Sequence, residues 1–136
     1  MSSWLPPALL AMLCFGLWGF FPKLAVLYME PRSALVYQTM GGLLVGLLVL
    51  ASLKFAPTFH PRGALFALLT GVAGVAGTLC FFAAAERGRI SLVVSLTALY
   101  PLITILLAAV FLKEPLTARH LAGMACAVAA ILLLAS

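Results

Sequence analysis

LPPALLAMLCFGLWGFFPKLAVLY, residues Leu5–Tyr28, is an apolar run interrupted by a single charge at Lys23. A helix needs roughly 20 such residues to cross the hydrocarbon core of a bilayer. Four more stretches of similar length follow, at Ser33–Leu53, Ala64–Ala85, Ser91–Leu112 and Thr117–Ala135. Glu, Arg and His lie between these stretches or at their ends, and among the charged residues only Lys23 falls clearly within one. The pattern predicts an all-α, polytopic membrane protein of five transmembrane helices, forming one domain over residues 1–136. An odd number of spans places the two termini on opposite sides of the membrane.

Composition excludes the soluble alternative. The chain is 65% hydrophobic and 8% charged, with a mean hydropathy of +1.25. A chain of 136 residues cannot hide five helices that are apolar all round inside a water-soluble core. The net charge of +5 is spread one or two residues per hinge, with no basic run. Hinges near lipid headgroups explain it better than nucleic acid does.

No Lys or Arg precedes the first apolar run, so the first span is expected to be retained rather than cleaved as a signal peptide. There is no Walker-type glycine loop and no space for a nucleotide-binding fold, which argues against ATP-driven pumping. Cys14, Cys80 and Cys126 sit in three different spans, and His60 and His120 in hinges. Nothing makes them converge on a metal, so neither metal nor cofactor is expected. The acid–base sets an intramembrane enzyme needs are missing from the spans, so the chain is not read as an enzyme.

Orientation follows the Lys and Arg balance across short hinges. Lys54, Arg62, Lys113 and Arg119 fall on the side of the N-terminus, and Lys23, Arg32, Arg87 and Arg89 on the other. Four against four is the balance of a dual-topology protein, whose copies insert both ways up.

Small residues recur at helix-packing spacing: Gly42 and Gly46, then Gly71, Gly74 and Gly77, then Gly123 and Ala127. Such residues let helix backbones approach closely in lipid. The first two sets are expected to pack within the chain, and the last against a second copy. Pro22 and Pro101 interrupt spans one and four and remove the donors for the Trp18 and Thr97 carbonyls. Helix kinks flanked by polar or aromatic groups line many transport pathways; an ordinary kink satisfied by a neighbouring threonine is the plainer reading. Lys23 either binds an anionic group or snorkels to the interface. Tyr37, Gln38 and Thr39 form a second polar cluster, able to bond a solute or a neighbouring helix.

The segments Phe15-Gly-Leu-Trp-Gly-Phe-Phe-Pro-Lys23, Ala85-Glu-Arg-Gly-Arg-Ile-Ser-Leu-Val-Val94 and Leu99-Tyr-Pro-Leu-Ile-Thr…Phe-Leu-Lys-Glu114 occur in that order. Together with the Gly123 helix, they resemble one five-span repeat of the EamA-type transporters in the drug/metabolite transporter superfamily. The resemblance covers the whole chain. Typical members carry two inverted repeats in one chain and work by alternating access around a central cavity. A single repeat with balanced charge implies two copies pairing as an antiparallel homodimer in a bacterial inner membrane. By the same resemblance, spans one, three and four line the cavity. That points to Trp18, Lys23, Thr78, Phe81, Tyr100 and Thr104 as substrate-binding residues, with Tyr37 and Gln38 added from span two. Glu114 is expected to close its hinge with Lys113 or Arg119. The implied partners are a small-molecule substrate, membrane lipid and a second copy, with no nucleic acid. The absence of a central carboxylate argues against proton-coupled cation export and favours a neutral, zwitterionic or anionic solute. An accessory half-transporter needing a different partner chain and a flippase for lipid-linked solutes remain as alternatives.

Overall fold

A computed structural model describes residues 4–135. Among the described residues there are six helices and no strand: α1 (Leu5–Ala25), α2 (Pro31–Ser52), α3 (Pro61–Arg87), α4 (Ile90–Thr97), α5 (Tyr100–Phe111) and α6 (Ala118–Ala135). The helices α4 and α5 are two halves of one apolar run, Ile90–Phe111. That run and α1, α2 and α3 are each long and apolar enough to cross a membrane, whereas α6 holds a shorter apolar stretch, Ala118–Leu134. At 1.5 Å per residue, the 18 residues of α6 extend about 27 Å, close to the core thickness. The fold is an all-α membrane protein with five apolar helical runs.

The boundaries depart from the sequence expectation in three places. The first helix ends at Ala25 rather than at Tyr28, because the following residues form the turn that leads into α2. Lys23 therefore sits in the last turn of α1, not well inside a span. The third helix is longer than expected at both ends. Span four is broken at Ala98–Leu99, where Leu99 and Leu102 donate to the carbonyls of Leu96 and Leu99, three residues back. Pro101 has no N–H to continue the ladder, so the chain tightens and restarts. The neighbouring threonines do not satisfy the carbonyl that Pro101 leaves. The Thr97 hydroxyl donates to Val93 and Val94, and that of Thr104 to Tyr100. By contrast, α1 runs through Pro22 without a break.

Helix ends are set locally. Proline stands in the first turn of α1, α2, α3 and α5, where its missing N–H costs nothing. Glu30, preceding Pro31, is extended with ψ 154°, as the proline ring requires. Both histidines serve as caps. The Gly63 N–H donates to His60 Nδ1 at 3.3 Å. Thr117 and His120 bond reciprocally: the His120 N–H donates to Thr117 Oγ1 at 3.3 Å, and the Thr117 N–H donates to His120 Nδ1 at 3.4 Å. This is a capping box with imidazole in the usual place of Glu or Gln. At the end of α2, Lys54 adopts φ 53°. Its N–H donates to Ala51, and the Phe55 N–H donates to Leu50, completing a Schellman motif. The Glu114 hinge is held by backbone, with Lys113 at φ 55° and the Glu114 N–H directed to Ala108 at 3.4 Å. Among the described residues Glu114 forms no ion pair with Lys113 or Arg119.

The chain clusters into two compact units, one ending at Arg87 and the other beginning at Gly88. In the first, α3 packs against both α1 and α2. Its buried residues Thr78, Phe81, Phe82 and Ala85 recur at helical spacing and form a single stripe. Gly19 and Pro22 of α1 and Ala34 of α2 are buried as well. All lie towards the C-terminal ends of α1 and α3 and the N-terminal end of α2. The remaining lengths present leucine, valine and phenylalanine outward, a surface suited to lipid rather than water. In the second unit, α4 packs on α6.

The glycine pattern of spans two and three does not serve packing within the first unit. A Cβ placed at Gly42, Gly46, Gly71, Gly74 or Gly77 meets nothing within 4 Å, and the same holds at Gly16 and Gly123. These helices touch through the stripe that contains Phe81 and Phe82, and their glycine faces point elsewhere.

Candidate solute-binding site

The turn after α1 brings the end of that helix and the start of α2 over the C-terminal part of α3. Between them lies a cavity of about 310 Å³. Trp18, Phe21, Pro22 and Ala25 supply its α1 wall, following one face at helical spacing. Met29 comes from the turn, Ala34, Tyr37 and Gln38 from α2, and Phe82 from α3. The small Ala34 side chain, only 3% exposed, makes room opposite the aromatic groups.

Adjacent phenylalanines of α3 do different work. Phe82 forms the buried floor of the cavity. Phe81, about 100° around the helix, meets Trp18 with ring centroids 5.1 Å apart and planes tilted by 40°. This offset contact fixes the indole at the cavity edge. One turn earlier, the buried Thr78 hydroxyl donates to the Gly74 carbonyl at 2.7 Å. Thr78 thus satisfies its hydroxyl inside its own helix and offers the cavity no free donor.

Tyr37 and Gln38 are the polar residue types among those lining the cavity, whose surface is almost wholly apolar. Among the described residues, Gln38 makes no hydrogen bond to the protein, while the nearby Thr39 hydroxyl is used by the Leu35 carbonyl. No charged side chain lines the cavity.

Lys23 follows the cavity residue Pro22 but does not itself line the cavity. Its ammonium donates to the Ala85 carbonyl at 2.7 Å. The last four carbonyls of a helix have no donor within it, and a cation is favoured there by the helix dipole. Lys23 thus caps α3.

The candidate residues therefore separate. Trp18, Tyr37 and Gln38 line one cavity, Phe81 supports Trp18, Thr78 lies in the same buried stripe, and Lys23 closes the end of α3. Tyr100 and Thr104 belong to α5 in the second unit, where both are exposed. Sequence reasoning missed Phe21, Ala25, Met29, Ala34 and Phe82 as lining residues. The spacing of Phe21 and Ala25 from Trp18 carries a signal for α1. Nothing in the sequence marks Phe82 over Phe81.

Apolar spans of this length define a polytopic membrane protein. The profile of the EamA-like transporter family matches residues 2–136, and the chain belongs to that family. It is an integral membrane protein of a family of transporters, not of enzymes. An uncharacterized protein of Methanocaldococcus jannaschii is 29% identical over 126 residues, covering 93% of this chain and 91% of that protein. No solved structure matches the chain.

Proposed function

We propose that this protein is a secondary transporter of a small neutral or zwitterionic solute. It works by alternating access as an antiparallel homodimer of copies inserted in both orientations in the plasma membrane, the inner membrane of a bacterial cell. The observation that carries the reading is the cavity between α1, α2 and α3. It is small and apolar, with Tyr37 and Gln38 among its lining residues. Ligand sites have this general make-up. The open glycine faces of α2 and α3 leave surface available for a second body, and the four-against-four balance of Lys and Arg supports insertion both ways up.

Trp18, Tyr37 and Gln38 contact the solute in this reading. Phe81 and Thr78 support the wall behind them, Lys23 couples the end of α1 to α3, and Pro22 and Pro101 set helix geometry. Tyr100 and Thr104 remain candidates from span four. With Lys23 engaged at Ala85, the argument for an anionic solute weakens. A flippase for phosphate-bearing lipids loses its support too, because no cation lines the cavity.

Topology tests the proposal first. Tags on either terminus, in separate full-length proteins, are assayed for accessibility from both sides of the membrane in cells. Each terminus is expected on both sides in similar amounts, with solute flux in proteoliposomes of the single chain. A fixed side for each terminus would falsify the antiparallel homodimer. Flux that returns only with a second, different chain would assign the protein as a half-transporter.

A further inference from the structure

We infer that His60 and His120 form a matched pair of acid-sensitive latches. Neutral, they hold the first turns of α3 and α6; protonated, they release them. The inference stands apart from the cavity and from the transporter reading.

Each ring is tied to backbone through the same atom. His60 immediately precedes α3, and its Nδ1 accepts from the N–H of Gly63, the third helical residue, at 3.3 Å. That is the bond of an N-cap side chain. His120 is itself the third residue of α6. Its Nδ1 accepts from the Thr117 N–H at 3.4 Å, while its own N–H donates to Thr117 Oγ1 at 3.3 Å. A neutral imidazole has one N–H and one bare nitrogen, so both rings carry their hydrogen on Nε2. The residues that usually fill these places, Asn or Asp at the cap and Glu or Gln at the third position, keep an acceptor oxygen at neutral and mildly acidic pH. Histidine is the side chain whose charge ordinarily changes there.

Protonation turns Nδ1 from acceptor to donor and sets it against an N–H that is also a donor. It also places a cation at the positive end of a helix. The surroundings do not compensate. Arg62 lies two residues beyond His60 and Arg119 immediately precedes His120, and neither α3 nor α6 has an acidic residue in its first turn. Of the helices packed on α3, α2 is followed by Lys54 and α1 opens without an acid. The helix packed on α6, α4, has no charged side chain over Ile90–Thr97. Lys113 and Glu114 occupy the hinge before α6, and among the described residues Glu114 forms no ion pair with His120. By the order of the spans, both caps fall on the side of the N-terminus, so acid on that one side acts on both hinges.

The full chain in lipid nanodiscs is followed by amide exchange at Gly63 and Thr117, each rate divided by that of an unstructured peptide at the same pH. Between about pH 7.5 and about pH 5, the normalised rate should rise about fivefold at both sites, the scale of a lost cap. The double variant His60→Asn, His120→Gln keeps an acceptor at both positions and should stay protected across the range. His60→Ala and His120→Ala should exchange fast at Gly63 and Thr117 respectively at either pH. Ring nitrogen resonances of the native chain at about pH 7.5 should show hydrogen on Nε2 and a bare Nδ1 in both histidines. Native rates that do not change with pH after normalisation overturn the inference. So does a pH dependence that persists in the double variant, which traces it to other groups, or rings that carry their hydrogen on Nδ1 at neutral pH.

Discussion

Lys23 and Ala85 stand 62 residues apart in the chain and meet through a 2.7 Å hydrogen bond from ammonium to carbonyl. The bond joins the last turn of α1 to the last turn of α3, beside the wall that carries Pro22 and Phe82. A lysine in the first apolar run thereby becomes part of the frame that fixes the cavity.

Replacing that lysine tests the frame. Lys23→Met keeps the aliphatic stem and removes the charged donor. A hydrogen bond to a charged group contributes about 1.5–3 kcal/mol; Lys23 is only partly buried, so the expected loss is about 1 kcal/mol. Amide exchange near Ala85 should accelerate, and solute flux should fall while membrane insertion persists. Unchanged exchange and flux would mean that the cap contributes nothing.

Phe82→Ala removes the floor of the cavity. In a soluble core such a change costs roughly 3–5 kcal/mol. Here an unfolded ring is already out of water in the bilayer, so the expected loss is about 2 kcal/mol, from packing alone. Thermal unfolding in detergent measures it. Phe81→Leu should cost less and broaden the environment of Trp18, seen as a shift in indole emission.

Gly74→Ala distinguishes contacts within a chain from contacts between copies. No atom within 4 Å opposes the added methyl, and alanine favours a helix over glycine by up to about 1 kcal/mol. Unfolding of the isolated chain should therefore be unchanged or slightly harder. If a copy packs on this face, Gly74→Leu should lower association in vesicles, read by single-molecule photobleaching, and leave the monomer folded. Loss of monomer stability in either variant would contradict the open face.

Lys54→Gly should stabilise the α2 hinge. Lys54 holds φ 53°, a left-handed conformation that costs an L-residue roughly 1–2 kcal/mol and that glycine adopts freely. The net gain expected is about 0.5–1 kcal/mol, since glycine loses more entropy on folding. A β-branched substitute, Lys54→Val, should shift thermal unfolding the other way.

Much of this fold was legible in advance because the bilayer restricts what a chain can do. Every backbone donor must be satisfied internally, so an apolar run of this length becomes a helix. The break at Pro101 was legible for the same reason, as proline removes one rung of a ladder nothing else replaces. The glycine faces of spans two and three do not pack within the first unit. Spacing identifies a surface where backbones can approach closely, but it does not say whose backbone arrives. The cavity was read in half: Trp18, Tyr37 and Gln38 stood out as polar or large groups, while Phe82 looked like any other apolar residue.

The sequence by itself determined that this is a membrane-spanning helical protein, roughly where its helices lie, and its family. These depend on local quantities: hydropathy over about 20 residues, proline positions, capping groups and ordered motifs. Tertiary structure alone decided which faces meet, that Phe82 floors a cavity that Phe81 does not line, and that Lys23 caps α3. Helices apolar on all sides carry no amphipathic stripe to mark an inner face. Their pairing rests on shape and on a few polar contacts, and those exist only once α1, α2 and α3 are assembled.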